Sequence, residues 1–417
     1  MRSRCFRLLL VLLLTTLPFL QTGCWSSNEI NNLAITTALG IDKAEDGKYQ
    51  ITALIVRSNS LFKSGTTGGS GGSQESPSLI ISGEGDSLFG AMRNLSTVLA
   101  KRMYWAHLQV IVFGADEVKR GLATDLDILA REHEFRKNIN ILVTRGRAED
   151  IIRLQPQLEG TLGAEIGEII TYSRLTSTTR VSDISEFLTA MANDTIDAVT
   201  GEITEASKVE GKIKVGNGRK DSPAVALNGT AAFKKGSLVG WLNRQETRGL
   251  LWVTGKVKSG IVQVNCIGNG HPRTKQESER QGKVSLEITR SSSSIRPKIS
   301  GEDVRFEVEV NVDAEVGEIA CNDFEMDSAS MEKLNRMLEE QVRQDIQLSL
   351  AKAKEEWVTD VFGFGQKIYR SDPQAWAKLA PTWREDGLKN ASVHLDVHAN
   401  IWRNGSIHDP TKVDESK

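Results

Sequence analysis

In the C-terminal third of the chain, apolar residues fall on every second position. Val304, Phe306, Val308, Val310 and Val312 alternate with Arg305, Glu307, Glu309 and Asn311. Val393, Leu395, Val397, Ala399 and Ile401 alternate in the same way with His394, Asp396, His398 and Asn400, and Val284, Leu286 and Ile288 repeat the pattern briefly. A period of two gives each strand one apolar and one wet face, which predicts an antiparallel sheet packed on one side only. Its cover follows the helical period. Met331, Leu334, Leu338, Val342, Ile346, Leu350, Ala353 and Trp357 form one apolar stripe, on a helix about 40 Å long at about 1.5 Å per residue. Together they predict an α+β domain over residues 283–405, with a polar tail at 406–417.

Upstream the two periods interleave. Tyr49, Ile51, Ala53 and Ile55 read as a half-buried strand, Leu79–Ile81 as a short one, and Leu108–Phe113 and Ile139–Val143 as buried strands. Between them Leu88, Ala91, Leu95, Val98 and Leu99 keep helical spacing behind an Asp86 or Ser87 cap. Leu122–Leu129 and Ala148–Leu154 also read as helices, and Asp183-Ile-Ser-Glu186 has capping-box spacing ahead of Phe187, Leu188 and Met191. Strand and helix in alternation predict a mixed α/β domain over residues 25–200. Residues 201–282 read as a small β-rich middle domain, with strands at Ala226–Phe233, Leu238–Leu242, Gly249–Thr254 and Val257–Val264. The Gly/Ser tract inside Ser64–Pro77 has no strand, helix and Lys around it in phosphate-loop order, so it reads as a surface loop.

The N-terminus changes the picture. Arg2, Arg4 and Arg7 precede a run from Leu8 to Leu20 that is apolar apart from Thr15, Thr16 and Pro18. Such a run reaches roughly 20 Å as a helix, short of a hydrocarbon core about 30 Å thick, so residues 1–23 read as a signal peptide. It ends in Leu20-Gln21-Thr22-Gly23-Cys24, which resembles a bacterial lipobox with its Leu one place early. In that motif the Cys is diacylated and becomes the new N-terminus, which makes Cys24 the lipid-attachment residue of an exported lipoprotein. Two or three acyl chains anchor stably where one is marginal. Of the four cysteines, Cys5 leaves with the signal and Cys266 and Cys321 remain beyond the membrane, where a disulfide between them is permitted.

The 417 residues carry 52 basic and 54 acidic side chains, and losing the three leader arginines makes the exported body more acidic still. That balance argues against a general nucleic-acid binder. His394, Asp396 and His398 share a strand face, but it is the wet one and no further ligand accompanies them, so no metal site is assigned. His133 is followed by Glu134 without a second His at zincin spacing, and His107 opens an apolar strand. Ser60-Leu-Phe-Lys63, Ser330-Met-Glu-Lys333 and Lys258-Ser259-Gly260 match fragments of penicillin-interacting enzymes without the S-D-N element, and no G-x-S-x-G elbow occurs. Glu355 and Glu356 sit as solvated acids on the long helix. No catalytic residue, metal ligand or cofactor is expected, and no ligand-binding residue is named.

Ordered blocks along the chain nevertheless match a known pattern. Cys24-Trp25 is followed by Glu29-Ile30-Asn31, Leu39-Gly40-Ile41-Asp42, Gly85-Asp86-Ser87-Leu88, the run around His107, and Gly121-Leu122 with Asp127 and Arg131. Then come Gly229-Thr230-Ala231-Ala232-Phe233, Leu238-Val239-Gly240-Trp241-Leu242 and Glu246-Thr247-Arg248-Gly249-Leu250-Leu251-Trp252. Asp360-Val-Phe-Gly-Phe-Gly365 with Tyr369-Arg370, Pro373, Trp376 and Trp383 closes the series. The set resembles the Ger(x)C family, the lipoprotein C subunits of spore germinant receptors. Ser26-Ser27 stands where that family usually has an acid, and the 64–77 loop resembles an insertion. The resemblance implies a three-domain α+β lipoprotein on the outer face of the spore inner membrane. It would work with integral-membrane A and B subunits in nutrient-triggered germination, without catalysis. The competing expectations are a solute-binding lipoprotein of a transporter, which would have two similar lobes around a cleft, and an envelope-remodelling enzyme. Phe362, Phe364, Trp376 and Trp383 are expected in the core, Gly363 and Gly365 where the long helix ends, and Trp241 and Trp252 in the middle domain.

Overall fold

The computed structural model describes residues 32–57, 77–209, 215, 223–266, 282–301, 303–321 and 327–402. Its strands are β1 (Leu33–Lys43), β2 (Tyr49–Val56), β3 (Ser78–Gly85), β4 (Arg102–Tyr104), β5 (Val110–Phe113), β6 (Asn140–Val143) and β7 (Ser182–Asp183). They continue as β8 (Val199–Glu205), β9 (Val225–Lys234), β10 (Ser237–Leu242), β11 (Ile261–Asn265), β12 (Lys283–Ser300), β13 (Asp303–Ile319) and β14 (Ser392–Trp402). They form two sheets in an α+β arrangement.

The first sheet runs β10-β9-β8-β6-β5-β1-β2-β3, with β4 beside β1 and β7 beside β6. Its centre is parallel, β1 with β5, β5 with β6 and β6 with β8, and its flanks are antiparallel. A parallel centre is covered on both faces, which is why Val110–Phe113 is apolar throughout instead of alternating. Ile111 and Phe113 enter one core with the helices Leu88–Leu95, Ala123–Arg131 and Ile184–Ala192, while Val110 and Val112 enter another with Ala148–Ile152 and Leu162–Tyr172. Ser87 caps the first of these helices, its Oγ accepting from Gly90 N at 3.0 Å. That helix stops at Leu95, so Val98, expected on it, is exposed. Asp183 caps the helix Ile184–Ala192 as its spacing predicts, but Glu186 turns to Arg180 at 2.8 Å instead of closing the capping box.

The second sheet runs β11-β12-β13-β14. The alternation holds: Val304, Phe306, Val308, Val310, Val312 and Ala314 are buried beneath the helix Ser328–Leu350. Two expectations need correction here. The sheet is mixed, because β14 pairs with β13 in parallel from Arg305↔Ser392 to Glu315↔Trp402. The helical connection between them carries the chain back to the start of β13, and a return of that kind produces a parallel neighbour. The long helix is α only as far as Leu350; Ala351–Glu356 widens into a π-turn before Trp357. Gly363 and Gly365 consequently open the next helix, Phe364–Ser371, with Gly363 left-handed at its cap.

The expected β-rich middle domain has no sheet of its own among the described residues. β9 and β10 extend the first sheet and β11 edges the second. Gly249–Thr254, expected as a strand, lies almost wholly on the helix Arg244–Val253, opened by a capping box between Asn243 and Glu246. Leu250, Leu251, Trp252 and Val253 are all buried, and a helix covered all round shows no period to separate it from a buried strand. Trp241 and Trp252, expected together, pack against different cores. Cys266 and Cys321 are disulfide-bonded, tying the end of β11 to the end of β13.

Candidate functional site

Three of the described blocks that carry the resemblance lie at joints between elements, and an aspartate organises each joint. Asp42, at the end of Leu39-Gly40-Ile41-Asp42, accepts from Ala148 N at 2.7 Å and Glu149 N at 2.9 Å, closing the N-terminus of the helix Ala148–Ile152. Burial pushes its pKa up, against those two hydrogen bonds and Arg147. Gly40 lets this helix lie against β1, since a Cβ there would stand 3.0 Å from Ile152.

Asp345 is the second. It is wholly buried on the helix Ser328–Leu350 and takes Arg248 Nε at 2.8 Å, Gln245 Nε2 at 2.9 Å, Gln341 Nε2 at 3.0 Å and Trp252 Nε1 at 3.4 Å. The Glu246–Trp252 block is therefore one helix docked on one buried carboxylate. Its own Glu246 reaches Lys352 at 2.9 Å, and Lys352 also donates to Trp241 O at 3.1 Å.

Asp360 is the third, and it joins the two sheets. Its Oδ1 accepts from Phe364 N at 2.9 Å; its Oδ2 accepts from Gly365 N at 2.7 Å and Trp383 Nε1 at 3.0 Å. Complete burial raises its pKa to about 6 despite these bonds. Its backbone binds Asp197 just before β8: Asp197 N donates to Asp360 O, and Asp360 N donates to Asp197 Oδ2, both at 2.9 Å. Arg384 then holds Asp197 at 2.9 Å and the carbonyls of Asn193 and Ile196 at 3.0 and 3.1 Å. Phe362, Phe364, Trp376 and Trp383 are core residues as expected, with Phe306 and Phe364 stacked at 4.4 Å between centroids.

Beside this joint lies a half-open cleft of about 440 Å³, walled by the helix Ile184–Ala192, the start of β8, the end of the helix Arg244–Val253, β12 and the start of the helix Phe364–Ser371. No sequence reasoning named it, because its walls come from five separated stretches. Asp345 and Arg384 were missed as well. An acid at 345 in the buried register of Leu338, Val342, Ile346 and Ser349 is the available signal for the first.

The remaining candidates are dispersed. Cys24, Ser60 and Lys63 lie outside the described residues. His394, Asp396 and His398 are exposed, with Asp396 3.1 Å from His398 alone of the three pairs. His133 meets Glu132 at 2.9 Å, and His107 lies edge-on to Tyr104. Ser330 belongs to the capped first turn of its helix, and Ser259 supplies only its carbonyl, to Ser177 Oγ at 2.6 Å. Among the described residues no group of three or more His, Cys, Asp or Glu side chains is placed to hold a metal, and no helix is long and apolar enough to cross a membrane.

Comparison with known proteins agrees with the blocks. Residues 26–205 match the family described as spore germination protein N-terminal domain, and residues 228–405 the one described as spore germination B3/GerAC like, C-terminal. Spore germination protein KC of Bacillus subtilis (strain 168) is 25% identical over 97% of both chains. Spore germination protein B3 of the same organism is 24% identical over 92% of this chain and 95% of its own. The crystal structure of the GerBC protein superposes with a TM-score of 0.52 at 18% identity, over 87% of this chain and 96% of that one, and so shares the fold. The solute-binding alternative finds no support in these relatives, and the two sheets are not the similar lobes it requires. On these matches, spanning most of the chain in order, it belongs to the Ger(x)C family of spore germination proteins.

Proposed function

We propose that this chain is the lipid-anchored C subunit of a spore germinant receptor, acting with integral-membrane A and B subunits when a nutrient ends dormancy. The observation that carries the reading is its end-to-end correspondence with spore germination protein KC, over 97% of each chain. In this reading residues 1–23 are removed, Cys24 carries the lipid, and the body stands on the outer face of the spore inner membrane. The disulfide between Cys266 and Cys321 suits that side of the membrane. The role is assembly and signalling rather than catalysis. Asp42, Asp345 and Asp360, from or against the family blocks, are engaged in holding elements together.

The test is affinity purification of the protein from detergent-solubilised dormant-spore membranes, with mass spectrometry of what accompanies it. Two polytopic subunits are expected, and a Cys24→Ala variant should lose them together with the membrane fraction. Recovery of a transporter permease, or of no membrane protein after full solubilisation, overturns the reading.

A further inference from the structure

The cleft beside the Asp360 joint has a charge imbalance. Its floor is apolar, from Phe187, Val253, Ile295, Val361 and Phe362, and Ser182, Thr189, Thr254 and Gln366 interrupt it. Two acids line it, and both are already engaged: Glu186 by Arg180 at 2.8 Å, and Asp197 by Arg384 at 2.9 Å. Two further cations on the wall, the partly exposed Lys256 and the half-buried Lys367, form no ion pair with an acid among the described residues. Partial burial, and then the neighbouring Arg180, push Lys256 below the ordinary lysine value, with Glu186 offsetting only part of this. An ammonium in that position is one that an added negative charge would stabilise. At about 440 Å³ the volume falls in the range of small-molecule pockets, roughly 300–1,000 Å³, and the place is a usual one, the seam between two packed bodies.

We propose that this cleft binds a small organic carboxylate with an apolar body, its carboxylate held by Lys256 and Lys367 and its hydrocarbon lying on Phe187, Ile295 and Phe362. Charge-assisted hydrogen bonds from two ammonium groups give the head its selectivity, and the floor rewards a branched or aromatic tail. The walls come from both sheets, so an occupant contacts the first body through the helix Ile184–Ala192 and the second through β12 and the helix Phe364–Ser371. The proposal stands apart from the receptor reading, because binding is read on this chain alone whereas the receptor is tested by what co-purifies.

The experiment is calorimetric titration of the full-length protein in detergent with isocaproate, with its uncharged isostere isocaproamide, and with inorganic phosphate. Saturable binding of isocaproate is expected, about tenfold or more tighter than the amide, with phosphate binding weakly. The double variant Lys256→Met/Lys367→Met should abolish that preference, and Lys256→Arg/Lys367→Arg should retain it. The acid-against-amide comparison on the unaltered chain decides the matter even where the methionine variant fails to fold. Equal affinity for acid and amide, no binding of either, phosphate binding as tightly as isocaproate, or unchanged affinity in a folded methionine variant each overturns the proposal.

Discussion

Asp345 has no exposed surface, yet four side chains from two helices converge on its carboxylate. A buried carboxylate costs several kcal/mol in desolvation and persists only when paired and hydrogen-bonded. Removing it leaves Arg248, whose side chain is 17% exposed, without its counter-charge. Asp345→Ala should therefore cost about 3–5 kcal/mol in chemical denaturation, and Asp345→Asn, which retains an acceptor, less. Glu117 tests the opposite balance. Its carboxylate is wholly buried and shared between Arg120 at 2.5 Å and the neighbourhood of Asp125, which itself accepts from Tyr49 at 2.8 Å. Burial, then Asp125, raise Glu117 to about 7, against the pull of Arg120. A raised acid binds its proton more tightly in the folded state, so stability is greatest below the unfolded value and falls as pH rises through the window to about 7. Asp360, at about 6, acts in the same direction. Denaturation midpoints should thus fall from about pH 5 to about pH 7. Glu117→Gln should flatten that slope, removing a change on the order of 2–3 kcal/mol. An unchanged slope in the variant would assign the dependence elsewhere.

At the scale of elements, the helices Arg244–Val253 and Ser328–Leu350 cross at Gly249. A Cβ there would fall on the Asp345 carbonyl, so the backbones touch where no side chain fits. Gly249→Ala should destabilise by about 1–3 kcal/mol, despite the better helix propensity of alanine. A neutral or stabilising result in urea would show that the helices part without cost. Elsewhere, legibility followed periodicity. β13 and β14 were readable because one face is wet, and β5 because both faces are buried within a run too short for a helix. The helix Arg244–Val253 was misread because its apolar run is enclosed on all sides, and the parallel pairing of β14 was invisible because side-chain alternation is the same in either direction. Register carries no local signature either. The outer edge of β14 is closed at two points by side chains, Glu339 accepting from Ala399 N at 3.0 Å and Asn335 from Ile401 N at 2.9 Å, contacts that join positions 60 and 66 residues apart. The three aspartate joints were half legible: Asp42 and Asp360 stood inside recognisable blocks, while their partners Ala148, Asp197 and Arg384 lay outside them.

Over the whole molecule, what matters is whether the two sheets move as one body. One direct tie is small and specific. Asp197 and Asp360 exchange two 2.9 Å hydrogen bonds, and Arg384 clamps Asp197 with the 193–196 turn while Lys234 Nζ, from β9, donates to Arg384 O at 3.0 Å. Burial raises the pKa of Asp197, and Arg384 is the largest influence holding it down. Arg384→Met keeps the length of the side chain but leaves Asp197 buried without a cation, at a cost of about 3–5 kcal/mol concentrated at the joint. Hydrogen exchange should then accelerate at the Asp197 and Asp360 amides. The amides of Ile111 and Val112 in the first sheet, and of Val308 and Val310 in the second, should keep their protection, because each sheet retains its own core. Equal acceleration at all six amides would mean that joint and cores open only together, as one cooperative unit. No acceleration at any would place the mechanical tie in the apolar contacts around Leu250 and Phe362, with the ion pair contributing only alignment.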